Sequence, residues 1–159
     1  MSFFPMPHLN LYVCEIEITQ QTINSDTAIT LGNILRDNGG LISLSNSTDI
    51  VIPPNCEAFI RANIVSDSAT TSNSQTIASF TDTSGVSLVN QASANVICRQ
   101  SGGQWFTGME IFLLIFSSGS NQTIQLRADQ ASTTPITINY NSAATYIPNS
   151  TITIMYTGA

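Results

Sequence analysis

Along residues 9–19 apolar and polar side chains alternate. Leu9, Leu11 and Val13 fall on one side of an extended chain, and Tyr12, Cys14, Ile16 and Ile18 on the other. A period of two is the signature of a strand. Similar short runs recur at residues 40–44, 49–52, 58–65, 76–81, 86–89, 94–99, 109–116, 123–127, 136–140 and 151–156. They amount to about ten or eleven strands at a spacing of roughly 8–12 residues, the pattern of a sandwich or barrel. Turn-forming clusters separate them: Asn38-Gly39-Gly40, Pro53-Pro54-Asn55, Ser84-Gly85, Gly102-Gly103 and Ser118-Gly119-Ser120. Residues 67–75 read as a polar loop, and residues 30–37 are the best helix candidate, only two turns long. The pattern predicts a single domain over residues 9–159, preceded by an extended arm, residues 1–8, which carries Pro5 and Pro7.

One strand breaks the alternation. In residues 109–116, Met109, Ile111, Leu113 and Ile115 share one face, and Phe112, Leu114 and Phe116 the other. An antiparallel sandwich strand normally has one wet face. A strand apolar on both faces needs a second cover, and the candidates are a loop, a helix or another subunit.

Composition narrows the function classes. Charged residues make up 9% of the chain, with ten acids, four arginines and no lysine, for a net charge of −6. Scattered arginines on an acidic chain provide no basic stripe for phosphates, so neither nucleic acid nor an anionic membrane is an expected partner. Ser, Thr, Asn and Gln supply roughly two-fifths of the residues, well above ordinary usage. Such a surface lets copies pack densely without mutual repulsion, although the same residues also decorate the wet face of ordinary strands. Cys14, Cys56 and Cys98 are odd in number and lie in strand-like runs, which points to reduced, buried thiols and folding in a cytoplasm. The first residues lack the basic and apolar regions of a secretory signal, so the sequons at Asn46, Asn121 and Asn149 are expected to be unmodified.

Catalytic chemistry finds little support. The single histidine, His8, sits in the arm, where no nucleophile can be held rigidly beside it. Metal-ligand spacing is missing, since the three cysteines are each 42 residues apart. A calcium ion on loop acids such as Asp67 or Asp82 is a weak candidate, and Glu15 with Glu17 is a weaker pair for glycoside hydrolysis. No cofactor is expected. A more informative loop runs through residues 99–106, where Arg99, Gln104 and Trp105 combine a cation, an amide and the only tryptophan. Such side chains suit recognition of a sugar or a protein, or pack over the end of a sandwich.

The order of elements resembles the C1q/TNF-like trimeric jelly roll, of the kind found in phage virion proteins. Residues 49–65, with the sequence DIVIPPNCEAFIRANIV, are similar to that family's short strand, proline turn and long inner strand. Residues 79–86 are similar to its polar hairpin, residues 109–116 to its central apolar strand, and residues 150–156 to its closing strand. The family's Gly-Tyr landmark is replaced by Glu57-Ala58-Phe59, and no collagen-like stalk is present. The resemblance implies an all-β, antiparallel jelly-roll β-sandwich that forms a homotrimer about its inner sheet. Tyr12, Phe112, Leu114, Phe116, Met155 and Tyr156 are the expected contacts. It further implies a non-enzymatic capsid decoration, or cement, protein on the virion surface, folded in the host cytoplasm. Phe3, Phe4, Pro5 and Met6 would then attach to a major capsid protein or another virion protein. The alternatives are a receptor-binding head of a tail or head fibre, which would recognise a host-surface glycan or protein, and a bacterial surface or spore-coat domain.

Overall fold

The computed structural model describes residues 10–24, 26–67, 74–88, 94–98, 106–128, 136–138 and 150–158. The side chains of residues 66–67, 74–77, 94–98, 106–109 and 136–137 lie outside this description. The described residues are all-β and contain no helix. Among the described residues twelve strands form: β1 (Leu11–Ile18), β2 (Gln21–Ile23), β3 (Leu31–Asp37), β4 (Ser43–Leu44), β5 (Asp49–Ile52), β6 (Cys56–Asp67), β7 (Ser74–Thr81), β8 (Ala94–Cys98), β9 (Phe106–Ser117), β10 (Gln122–Ala128), β11 (Ile136–Ile138) and β12 (Thr151–Thr157).

They build two antiparallel sheets. In the larger one, β6 pairs with β9 along one side over its full length, without a register break. Its other side carries β12, β1 and β3 in succession at one end, and β11 and β2 at the other. The smaller sheet runs β4-β5-β10-β7-β8. Both contribute to one core, in which Ile16, Ile60, Ile111 and Ile154 of the larger sheet join Ile50, Ile52, Phe80, Ile124 and Leu126 of the smaller. The arrangement is compatible with a β-sandwich. Isoleucine dominates because a β-branched side chain has few rotamers to lose and packs well on a pleated surface. Each fully buried isoleucine stabilises the fold by about 1.5–3 kcal/mol relative to an exposed one.

The alternation of residues 9–19 translates directly into burial. Cys14, Ile16 and Ile18 are fully enclosed, while Leu11 is exposed. Burial, with Asp37 and Glu15 adding to it, pushes the Cys14 thiol up to about 12, so it stays protonated and unreactive. Cys56 is also free, buried and shifted upward by burial.

Two expectations fail here. The helix expected over residues 30–37 is strand β3, which pairs with β1 through Ile18↔Leu31, Ile16↔Ile34 and Cys14↔Asp37. A two-turn helix is marginal alone, and the open edge of β1 offers backbone hydrogen bonds that override it. The register shifts twice along this pair, which conceals the strand's alternation from a reading of the sequence. Of the strand expected at residues 86–89, residues 86–88 make only a single bridge, Thr81↔Ser87, behind the turn at Gly85, with Val86 exposed, and residue 89 lies outside the described residues.

Buried polar groups fix the strand ends. Ser150 Oγ accepts from the Val65 N–H at 2.8 Å. Ser117 Oγ accepts from the Cys56 N–H at 3.1 Å and donates to the Pro53 carbonyl. Asn55, in the left-handed region at φ 55°, accepts through Oδ1 from the Gly119 N–H, which ties two turns together at one end of the β6–β9 pair.

Candidate functional site

The register sets the outward side chains of the larger sheet in cross-strand rows. At the end of the sheet where β1 and β6 begin and β9 and β12 finish, Leu11 pairs with Thr157 and Glu57 with Phe116. The Glu57 N–H donates to Thr157 Oγ1, which joins the two pairs into one row. The second row is Val13, Met155, Phe59 and Leu114. Arg36, Glu15, Thr153, Arg61 and Phe112 form the third, and Glu17, Thr151, Asn63 and Glu110 the fourth. Directly opposite residues in such rows lie about 4.5–5.5 Å apart at Cβ, so neighbours along each row are within reach of one another.

The face is therefore graded. Phe112, Leu114 and Phe116 are 39%, 59% and 64% exposed, and Phe59 and Met155 lie beside them at more than a third. The Phe59 and Phe112 rings stack with centroids 5.8 Å apart, which orders both at a gain of about 0.5–1.5 kcal/mol. Toward the other end the face turns ionic. Arg36 pairs with Glu15 at 3.5 Å, and Arg61 pairs with Glu110. All four of the chain's glutamates project from this face, against two arginines.

Large apolar side chains gathered on a solvent-facing sheet are uncommon in monomers and mark interaction surfaces. The β9 strand adds a second feature. Its edge away from β6 has no backbone partner among the described residues, and β9 carries neither lysine, proline nor bulge, the usual devices that protect an edge.

Of the residues expected at a subunit contact, Phe112, Leu114, Phe116 and Met155 share this face. Tyr156 does not: it is fully enclosed, in phase with Ile152 and Ile154. Its hydroxyl donates to Asp37 Oδ1 at 2.5 Å and accepts from the Leu41 N–H at 3.4 Å. Burial and this acidic partner push the Tyr156 hydroxyl well above its ordinary range. Tyr12 is on the same inner side, its ring 5.5 Å from that of Tyr156. A side chain at Gly39 would stand 2.2 Å from the Tyr156 hydroxyl, so that turn must be glycine. Both tyrosines are corrected to core positions, because strand phase puts residue 156 opposite to Met155. Phe59, Leu11 and Val13 complete the face and were missed. Phe59 was detectable as an aromatic out of phase with Ala58, Ile60 and Ala62.

The arm residues Phe3, Phe4, Pro5 and Met6, with His8, lie outside the described residues, as do Arg99, Gln104 and Trp105. Of the weak calcium candidates, Asp67 is the last residue of β6. Asp82 is engaged in its own turn, accepting from the Ser84 hydroxyl at 2.7 Å and the Ser84 and Val86 N–H groups at 2.9 Å each. These bonds, the Ser84 hydroxyl foremost, hold its carboxyl below the usual range. Among the described residues no three His, Cys, Asp or Glu side chains converge on a point that could hold a metal.

The outward side of the smaller sheet has the opposite chemistry. Asp49 and Gln125 are buried there, and Gln125 Nε2 donates to Asp49 Oδ1 at 2.6 Å. Asn46 and Thr48 donate to the same carboxylate at 2.7 and 3.0 Å. Arg127 donates to Gln125 Oε1 at 3.2 Å and to Asp26 Oδ1 at 3.1 Å. Burial pushes the Asp49 carboxyl up, and the bonds from Gln125, Thr48, Asn46 and Ser45 together outweigh it, so the group sits below its ordinary value.

No protein-family model matches this chain, and no curated protein matches it.

Proposed function

We propose that the chain is a non-enzymatic jelly-roll protein that assembles into a homotrimer through the outward face of its larger sheet and decorates a virus capsid. The observation that carries the assembly is the cluster of Phe112, Leu114, Phe116, Phe59 and Met155 on that face. Burying it removes apolar area from water at about 25 cal/mol per Å². The apolar rows then form the contact and the Arg36–Glu15 and Arg61–Glu110 pairs its wet margin, an apolar centre with a polar rim.

The jelly-roll reading is supported by strand order. The order is β3-β1-β12-β6-β9 in the larger sheet and β4-β5-β10-β7-β8 in the smaller, and the chain changes sheet between β3 and β4, β5 and β6, β6 and β7, β8 and β9, β9 and β10, and β10 and β11. Such crossings are those of nested Greek keys. The number three rests on the resemblance to C1q/TNF-like proteins. The virion reading rests on that resemblance together with a lysine-free surface of hydroxyl and amide side chains, which tolerates close packing of many copies.

Incubating the purified chain with undecorated shells of the virus that encodes it tests the role. Saturable binding, reduced when residues 2–7 are deleted, is expected. Failure to bind shells, with binding to host cells instead, would replace decoration by receptor recognition.

A further inference from the structure

Away from the apolar face, the smaller sheet has a shallow cleft of about 160 Å³, lined by Asp26, Ser79, Thr81, Gly85, Ser87 and Arg127 with Ala128 at its edge. We propose that it binds one neutral sugar ring through a pair of adjacent hydroxyls. This site is independent of self-association through the larger sheet.

Ser79 is the observation that points to a ligand. It stands directly opposite Arg127 on β7 and β10 and is only 9% exposed. Its hydroxyl has no hydrogen-bond partner among the described residues, although it lines the cleft. A buried hydroxyl is nearly always satisfied by protein, water or ligand, and each exception needs an explanation.

The neighbouring groups define what would satisfy it. Arg127 donates from Nε to Asp26 Oδ1, from Nη2 to the Asp26 carbonyl and from Nη1 to Gln125. Three of the five guanidinium N–H groups are thus engaged and two remain. Asp26 Oδ1 is engaged by this bond, and Oδ2 remains an acceptor. The site therefore offers Arg127 donors, an Asp26 acceptor and a Ser79 hydroxyl that does both. Its formal charges cancel, so it favours neither a free anion nor a free cation. A sugar's adjacent hydroxyls, each both donor and acceptor, match that set. The cleft is roomy enough to admit several waters or a small polar ligand.

The backbone around the cleft is held in place. Asp26 takes a left-handed conformation, φ 55°, fixed by its two bonds to Arg127. Gly85, at φ 86°, lays the turn over the guanidinium, and a Cβ there would stand 3.4 Å from Arg127 Nε. The described lining has no aromatic platform, which limits a single site to weak binding. Presenting several copies together would raise the effective affinity.

Titration of the full chain by NMR with methyl glycosides of glucose, galactose, mannose and N-acetylglucosamine is the test. Saturable binding of at least one at millimolar concentration is expected. Ser79→Ala and Asp26→Asn should each weaken it about tenfold, the loss of one good hydrogen bond, with the melting temperature nearly unchanged. Asparagine is chosen because it tolerates the positive φ. No saturation by any of the four, binding unaltered in both variants, or stronger binding of inorganic phosphate than of every glycoside would overturn the assignment.

Discussion

Phe116 and Asp49 both project away from the core, one from each sheet, and they meet opposite circumstances. Asp49 is surrounded by Gln125, Thr48 and Asn46, which satisfy its carboxylate within the chain. Phe116 is 64% exposed, with Glu57 as its cross-strand neighbour and only apolar side chains in the next row. Strand periodicity is the same on both sheets, so it cannot explain the contrast. What differs is where the partners come from. The outward side of the smaller sheet is largely completed by its own chain, whereas that of the larger sheet leaves Phe112, Leu114 and Phe116 facing water, the side chains that the proposed assembly would cover. Self-association and intrinsic stability should therefore be separable by mutation.

The largest effect is expected from Leu114→Glu combined with Phe116→Glu. Each side chain contributes about 1.5–3 kcal/mol when buried, so self-association should weaken by about a hundredfold or more at 1.4 kcal/mol per tenfold. Thermal unfolding of the isolated chain should barely move, since both residues already face water. A folded variant that still assembles like the parent would remove the face from the interface.

The converse experiment is Asp49→Ala. It leaves Gln125 without its buried acceptor, and a stranded group of this kind costs about 1–3 kcal/mol. Denaturant unfolding should show that loss, and the mass in solution should stay the same. A change in assembly without a change in stability would reverse the roles assigned to the two faces.

Acid should act mainly on stability, through one carboxylate in each sheet. Both Asp49 and Asp37 have carboxyl pKa values held below the ordinary one. For Asp37, burial opposes the shift, and bonds from Tyr156 and the Ile42, Gly40 and Gly39 backbones outweigh it. A carboxyl depressed in the folded state stabilises it above the unfolded pKa of about 4, and the contribution disappears as pH falls through the folded value. Unfolding midpoints should fall on acidification below that point, less steeply in Asp49→Asn. Equal slopes in the two proteins would dissociate Asp49 from the effect.

The smallest effect belongs to Glu110→Gln, which breaks the exposed pair with Arg61. Such surface pairs contribute under about 1 kcal/mol, and salt should diminish the difference further. A larger cost in the unassembled chain would show that this margin is less solvated than its exposure indicates.

The sequence made the strands of the apolar face legible and left its orientation open. Alternation in residues 9–19 located β1, and the doubly apolar run located β9. Because both sides of β9 are apolar, periodicity alone could not tell which faced inward. That choice is made by β6, whose Ala58, Ile60, Ala62 and Ile64 enter the core and so turn Phe59 and Arg61 out. Tyr156 was misplaced for a related reason: an aromatic in a closing strand suits a contact or a core equally well until its phase is fixed by Ile154. Strand β3 was hidden by its register shifts. The Asp26–Arg127 pair was invisible because its members are 101 residues apart, and nothing in the local pattern of either predicts the other.

The central claim is that the larger sheet's outward face is covered by further copies of the chain. Light scattering after size exclusion tests it most directly. The account predicts a mass three times the 17.0 kDa of one chain. A single-chain mass, unchanged as concentration is raised, would contradict it.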